Sequence, residues 1–100
     1  MEKEWKDWIT ESIIADRLLY SGPCFVKYVS LQSGSTGTGI VVIYDGHDTT
    51  GKIKYRFFVD VKNLKSVNFS IPIYYDKGLY VDIGTNVLLF TIQYKPAEMK

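Results

Sequence analysis

His47 is the only histidine of this 100-residue chain and sits in Asp45-Gly46-His47-Asp48, an imidazole between two carboxylates. Such residues can hold a metal or accept a proton as a general base. A catalytic zinc ordinarily needs three protein ligands, and a calcium loop needs regularly spaced oxygens closed by a Glu; neither pattern follows here. Asp-Gly is a hairpin signal, so the stretch reads as a solvated turn. Cys24, the single cysteine, opens a strand after Gly22-Pro23 with no histidine close in sequence, and reads as a buried structural thiol.

The other combinations are weaker still. No Gly-x-Ser-x-Gly elbow accompanies the lone histidine, which speaks against serine hydrolase chemistry. The glycine-rich loop Ser33 to Gly39 lacks the Gly-Lys-Ser/Thr ending of a phosphate cradle and precedes a strand, so it reads as a flexible connection. Asp76 and Asp82 could pair as glycosidase carboxylates do, but Asp76-Lys77-Gly78 makes an ordinary hairpin turn. Lys52, Lys54 and Arg56 form a basic stripe that could track phosphates, yet Asp60 ends the same face. The chain is therefore expected to be no enzyme, with no catalytic, cofactor-binding or metal-binding residues.

These residues lie between short β-like runs. "KIKYRFFVDV" alternates most clearly, with Ile53, Tyr55, Phe57 and Val59 on one side and Lys52, Lys54, Arg56 and Asp60 on the other. In "VNFSIPIYY" the same pattern turns Val67, Phe69, Ile71, Ile73 and Tyr75 inward, while Pro72 marks an edge or a bulge. In "VLLFTIQY" it puts Leu88, Phe90, Ile92 and Tyr94 on one face and Val87 and Leu89 on the other. The expected fold is all-β: a single antiparallel β-sandwich or small barrel of about seven strands, with Greek-key or jelly-roll wiring. Residues 1–12 are expected to form an N-terminal arm or short helix, 13–96 the sandwich domain, and 97–100 a C-terminal tail.

Apolar side chains exceed what one core can hide. "CFVKYVSL", "IVVIY" and "VLLFTIQY" are apolar on both faces, and Phe58 stands on a charged one. A sandwich covers one face of each sheet, so the surplus implies other chains or the arm. In the arm, Trp5, Trp8 and Ile9 have the i, i+3, i+4 spacing of one helix side. Trp5, Trp8, Ile9, Phe58, Tyr74, Tyr80, Val87 and Leu89 are the candidate partner-binding residues, in a homo-oligomer with a trimer as the first expectation.

Composition bounds the rest. A net charge of +1 supplies no field for DNA or RNA, so nucleic acid is not the default partner. No apolar run reaches the roughly 20 residues that span a bilayer, and the acidic, Trp-containing start is unlike a signal peptide. Synthesis inside a cell, with no membrane partner, is expected.

Gly22-Pro23-Cys24 opening an early strand, the Gly/Ser/Thr loop, Tyr44-Asp45-Gly46 followed by Gly51-Lys52, Ile71-Pro72-Ile73 and Gly78-Leu79-Tyr80-Val81-Asp82 occur in an order that resembles small β-sandwich virion structural proteins of tailed bacteriophages, of the head-decoration, cement and fibre-base type. The resemblance spans about Leu19 to Tyr94. It implies a non-enzymatic capsid decoration or cement protein, made in host cytoplasm, placed on the capsid surface and bound to copies of itself and to capsid or tail subunits. The alternative is a carbohydrate- or receptor-binding module using exposed Tyr74, Tyr75 and Tyr80 as a platform. A third possibility, a single-strand nucleic-acid binder, would use the Lys52, Lys54, Arg56 stripe.

Overall fold

The computed structural model describes residues 8–97. Runs rich in β-branched and aromatic residues form eight strands, against the seven or so expected. They are β1 (Ile9–Ile13), β2 (Arg17–Ser21), β3 (Cys24–Ser33), β4 (Gly39–Asp45), β5 (Lys52–Val59), β6 (Leu64–Tyr75), β7 (Gly78–Ile83) and β8 (Val87–Pro96). Sheet I has the order β1-β8-β3-β6 and sheet II the order β2-β7-β4-β5, all neighbours antiparallel. Strands one and eight, two and seven, three and six, and four and five are thus partners, as if one long hairpin had been rolled up. This is jelly-roll wiring in a two-sheet sandwich rather than a closed barrel.

Only the β4–β5 connection joins neighbours in one sheet; every other link crosses between sheets. Asp76-Lys77-Gly78, expected as a hairpin turn, is therefore an arch from sheet I to sheet II. The N-terminal helix is likewise corrected: Ile9–Ile13 is strand β1, paired to β8 with Ile9 opposite Tyr94 and Ile13 opposite Phe90. A helix of that length is marginal in water, whereas the strand completes the ladder along β8. Trp5 lies outside the described residues.

The core lies between the sheets. Val26, Val29 and Leu31 of β3 and Phe90 and Ile92 of β8 meet Val41, Ile43, Phe57, Leu79 and Val81 from sheet II, all almost fully buried. Phe57 and Phe90 pack edge to face with centroids 6.4 Å apart, Tyr20 meets Tyr94 at one side, and Tyr55 meets Phe69 at the other. Aromatic pairs thus bridge the sheets in the middle and on both flanks.

Bulges set which side chains face in. Between the pairs Ile43–Tyr55 and Tyr44–Ile53 one residue, Lys54, is extra. It moves Ile53 to the outer face, 40% exposed, and breaks the expected Lys52, Lys54, Arg56 stripe. In β6, Phe69, Ser70, Ile71 and Pro72 stand opposite the single residue Lys27, so Ile71, expected inside, is 82% exposed. In β8 the shift between Gln32–Leu89 and Ser33–Val87 leaves Leu88 unpaired and outside, while Val87 packs half-buried against the core. At Lys54 and Leu88 one added residue reverses the alternation, whereas in β6 the bulge itself carries Ile71 outward while Ile73 and Tyr75 beyond it still face in.

The loop Ser33 to Gly39, expected to be a free connection, is tied down. Gly34 N–H donates to Asn86 O at 2.8 Å, Thr36 Oγ1 to Asn86 Oδ1, and Asn86 Nδ2 to Thr38 O. Ser33, buried, accepts from Asn63 N–H at 3.0 Å and donates to Asp60 O.

Phe57→Ala should lower the free energy of unfolding in urea by about 3–5 kcal/mol, because the neighbouring sheet cannot collapse onto the void. Tyr75 is fully buried and its hydroxyl has no hydrogen-bond partner among the described residues. Tyr75→Phe should therefore raise stability in the same titration, by about 1 kcal/mol.

Candidate interaction surfaces

The residues that could have done chemistry are engaged in holding one end of the sandwich. Asp45 closes β4, and its carboxylate accepts backbone N–H groups of Asp76 at 3.0 Å, Lys77 at 2.7 Å and Gly78 at 3.4 Å. Burial works to raise its pKa, but these three bonds and the nearby Lys54 outweigh it and hold the carboxyl below its ordinary value. His47 Nε2 lies 3.1 Å from both Ser21 Oγ and Lys77 O. A carbonyl only accepts, so Nε2 must carry a proton, and it cannot take one from Ser21. The pair is a structural link between the β4–β5 hairpin, the end of β2 and the β6–β7 arch.

Cys24 is fully buried on β3, and burial followed by the Asp45 charge pushes its thiol up to about 12. It is a core side chain, inert as a nucleophile. Asp82 lies on β7 beside Asp16, whose Oδ1 accepts Ile83 N–H at 2.7 Å. Partial burial and the Asp16 carboxylate both raise the Asp82 pKa. Asp76 lies in the β6–β7 arch and accepts from Tyr74 OH, so Asp76 and Asp82 do not form a pair. Among the described residues no group of three His, Cys, Asp or Glu side chains converges on a point.

The two outer faces differ across their middle. Across the middle of sheet I, Ser12, Thr91, Ser30 and Ser66 stand in one cross-strand row, and Thr10, Gln93, Tyr28 and Asn68 in the next. Their side chains bond to one another: Ser12 Oγ with Thr91 Oγ1 at 3.0 Å, Gln93 Nε2 to Thr10 Oγ1 at 3.1 Å, and Ser66 Oγ to Ser30 Oγ at 3.2 Å. This is a wet face. At its end near the β6 bulge, Lys27 and Lys95 lie 4.9 and 5.6 Å from the Trp8 ring centroid, and Phe25 packs on Tyr74.

Sheet II reverses the pattern. Its outward rows are Leu18, Tyr80, Tyr44 and Ile53 from four successive strands, then Asp82, Val42 and Arg56, then Ile40 and Phe58. Phe58 is 54% exposed, and Leu18 and Ile53 are close to 40%. Asp82, with Asp16 beside it, and Arg56 are set among these apolar rows. Phe58, from alternation, and Tyr80, as a candidate surface tyrosine, were legible in the sequence, but Leu18, Tyr44 and Ile53 were not. Tyr44 lay inside a run apolar on both faces, and the two others are displaced by bulges at Leu19 and Lys54.

The sequence-derived candidates therefore separate. Trp8, Ile9, Tyr74 and Leu89 belong to sheet I or its margin, and Phe58 and Tyr80 to the outer face of sheet II. Val87 faces the core, with Leu88 exposed in its place. The expected tyrosine platform does not exist as one surface: Tyr75 is buried, while Tyr74 and Tyr80 point out of opposite sheets.

The Asp45 clamp gives a testable pH dependence. Asp45→Ala leaves the arch N–H groups without their acceptor and should cost about 2 kcal/mol at neutral pH. Because the folded-state pKa is lowered, the stability that Asp45 contributes is complete above the unfolded carboxylate value of about 4 and is lost as pH falls through the folded value. Urea unfolding should show the gap between wild type and Asp45→Ala narrowing as pH falls below about 4; a constant gap would contradict the clamp.

No family model and no curated protein matches the chain. Among solved structures it is similar to a chain from the disulfide-linked pili of Bacillus endospore appendages, with 10% identity, 90% of this chain and 89% of that one covered, and a TM-score of 0.45. That likeness is too distant to carry a function across.

Proposed function

We propose that the protein is a non-enzymatic structural subunit that acts by packing its outer sheet surface against other protein surfaces in an assembled structure. The observation that carries this is the outer face of sheet II, where the row Leu18, Tyr80, Tyr44, Ile53 runs across all four strands and Val42, Ile40 and Phe58 extend it, with Phe58, Ile53 and Leu18 the most exposed. Covering such a face is favourable by roughly 25 cal/mol for each Å² of apolar surface removed from water. The hydroxyl-lined face of sheet I shows that this chain can build a wet sheet surface, so the dry one is not a general property of its strands.

The finer reading is a capsid decoration or cement protein. It is supported by the resemblance of the turn and strand motifs to phage virion proteins, and by jelly-roll wiring, which viral capsid domains share with lectins. A subunit of this kind stabilises a particle by binding only its assembled form, which shifts the equilibrium away from disassembly. Trp8, beside β1, is a second contact candidate for a capsid or tail surface.

Light scattering coupled to size-exclusion chromatography of the full chain is the test. The mass should rise above that of a monomer as concentration approaches the high micromolar range. Phe58→Ser with Leu18→Ser should lower that association while changing folding stability by only about 0.5 kcal/mol per site, as exposed positions do. A wild-type chain that stays monomeric throughout would overturn the proposal.

A further inference from the structure

We infer that the outer face of sheet II is its own complement: two copies of this chain pack face to face about a two-fold axis running along β4. This rests on the proposed assembly role and names the partner and the geometry. The row Asp82, Val42, Arg56 places an acid on β7 and a base on β5, on either side of β4. Adjacent strands are about 4.8 Å apart, so the two charges flank β4 at equal distances.

A two-fold axis along β4 exchanges β7 with β5 of the second copy. Asp82 then meets the other copy's Arg56 in two symmetry-related contacts, and Tyr80 meets Ile53. Phe58 comes over Gly84, which follows Ile83 at the end of β7. The outward residues of β4, Ile40, Val42 and Tyr44, lie on the axis and meet their own copies, as uncharged residues can. Crossing the strands with the axis instead would set Asp82 on Asp82 and Arg56 on Arg56, like charges out of water. The charge pattern therefore selects one of the two face-to-face arrangements.

Sheets stacked in this way keep their strands within about 30° of each other and interdigitate about 10 Å apart. The apolar rows supply affinity, while the ion pairs, whose desolvation nearly cancels their attraction, supply orientation. Neither Asp82 nor Arg56 has an ion-pair partner among the described residues, where the one salt bridge is Glu11–Arg17. The closed unit is a dimer, in place of the trimer expected from the sequence.

Charge reversal tests the pairing. Asp82→Lys and Arg56→Glu should each weaken self-association at least tenfold in sedimentation equilibrium, with the fold retained by circular dichroism. The chain carrying both changes should associate nearly as tightly as wild type, and an equimolar mixture of the two single variants should form a heterodimer. Single variants that associate like wild type, or a double variant no tighter than the singles, overturn the pairing and leave the assembly role standing. A wild-type chain that remains monomeric overturns both.

Discussion

Two sheets have four faces, and a single chain of this size can hide only two of them. The inner pair closes on Phe57 and Phe90, with Tyr20–Tyr94 and Tyr55–Phe69 sealing the flanks. The outer pair must be made compatible with water or covered from outside. This chain solves the problem in two ways. Sheet I carries rows of hydroxyl and amide side chains bonded to one another, and sheet II carries rows of Leu, Ile, Val and Tyr.

The wiring makes the inner closure depend on contacts distant in sequence. All connections but one cross between sheets, so the arches must be fixed from outside their own segments. Asp45, at the end of β4, does this for the β6–β7 arch through three backbone N–H groups, and His47 adds Lys77 O and Ser21 to the same junction. The stretch Asp45-Gly46-His47-Asp48, an imidazole between two carboxylates in the sequence, is the fastening of one end of the sandwich. A proton-carrying Nε2 held by a carbonyl is suited to that task.

The asymmetry of the outer faces turns a fold into a candidate assembly unit. Asp82, with Asp16 beside it, and Arg56 on either side of a central apolar strand add little to affinity, but they restrict how a flat surface can meet its copy. Jelly rolls serve in many unrelated roles, so wiring alone assigns none of them. The side chains on the outer sheet surface carry the functional reading.

Sequence alone determined that the chain is all-β, where its turns fall, that Cys24 is a core thiol, and that apolar residues exceed one core. Composition and alternation are local properties, read directly from neighbours along the chain. Tertiary structure decided what depends on pairing between distant segments. Asp76-Lys77-Gly78 became an arch, because a turn signal does not record which sheet its second strand joins. Ile9–Ile13 became a strand, because β8 offered it a ladder. Bulges at Lys54 and Leu88 exchanged inner and outer residues, since one added residue inverts a period of two, and the Phe69–Pro72 bulge turned Ile71 outward. The row Asp82, Val42, Arg56 is drawn from three strands whose order no local pattern encodes, so the surface that proposes a partner exists only once the chain has rolled up.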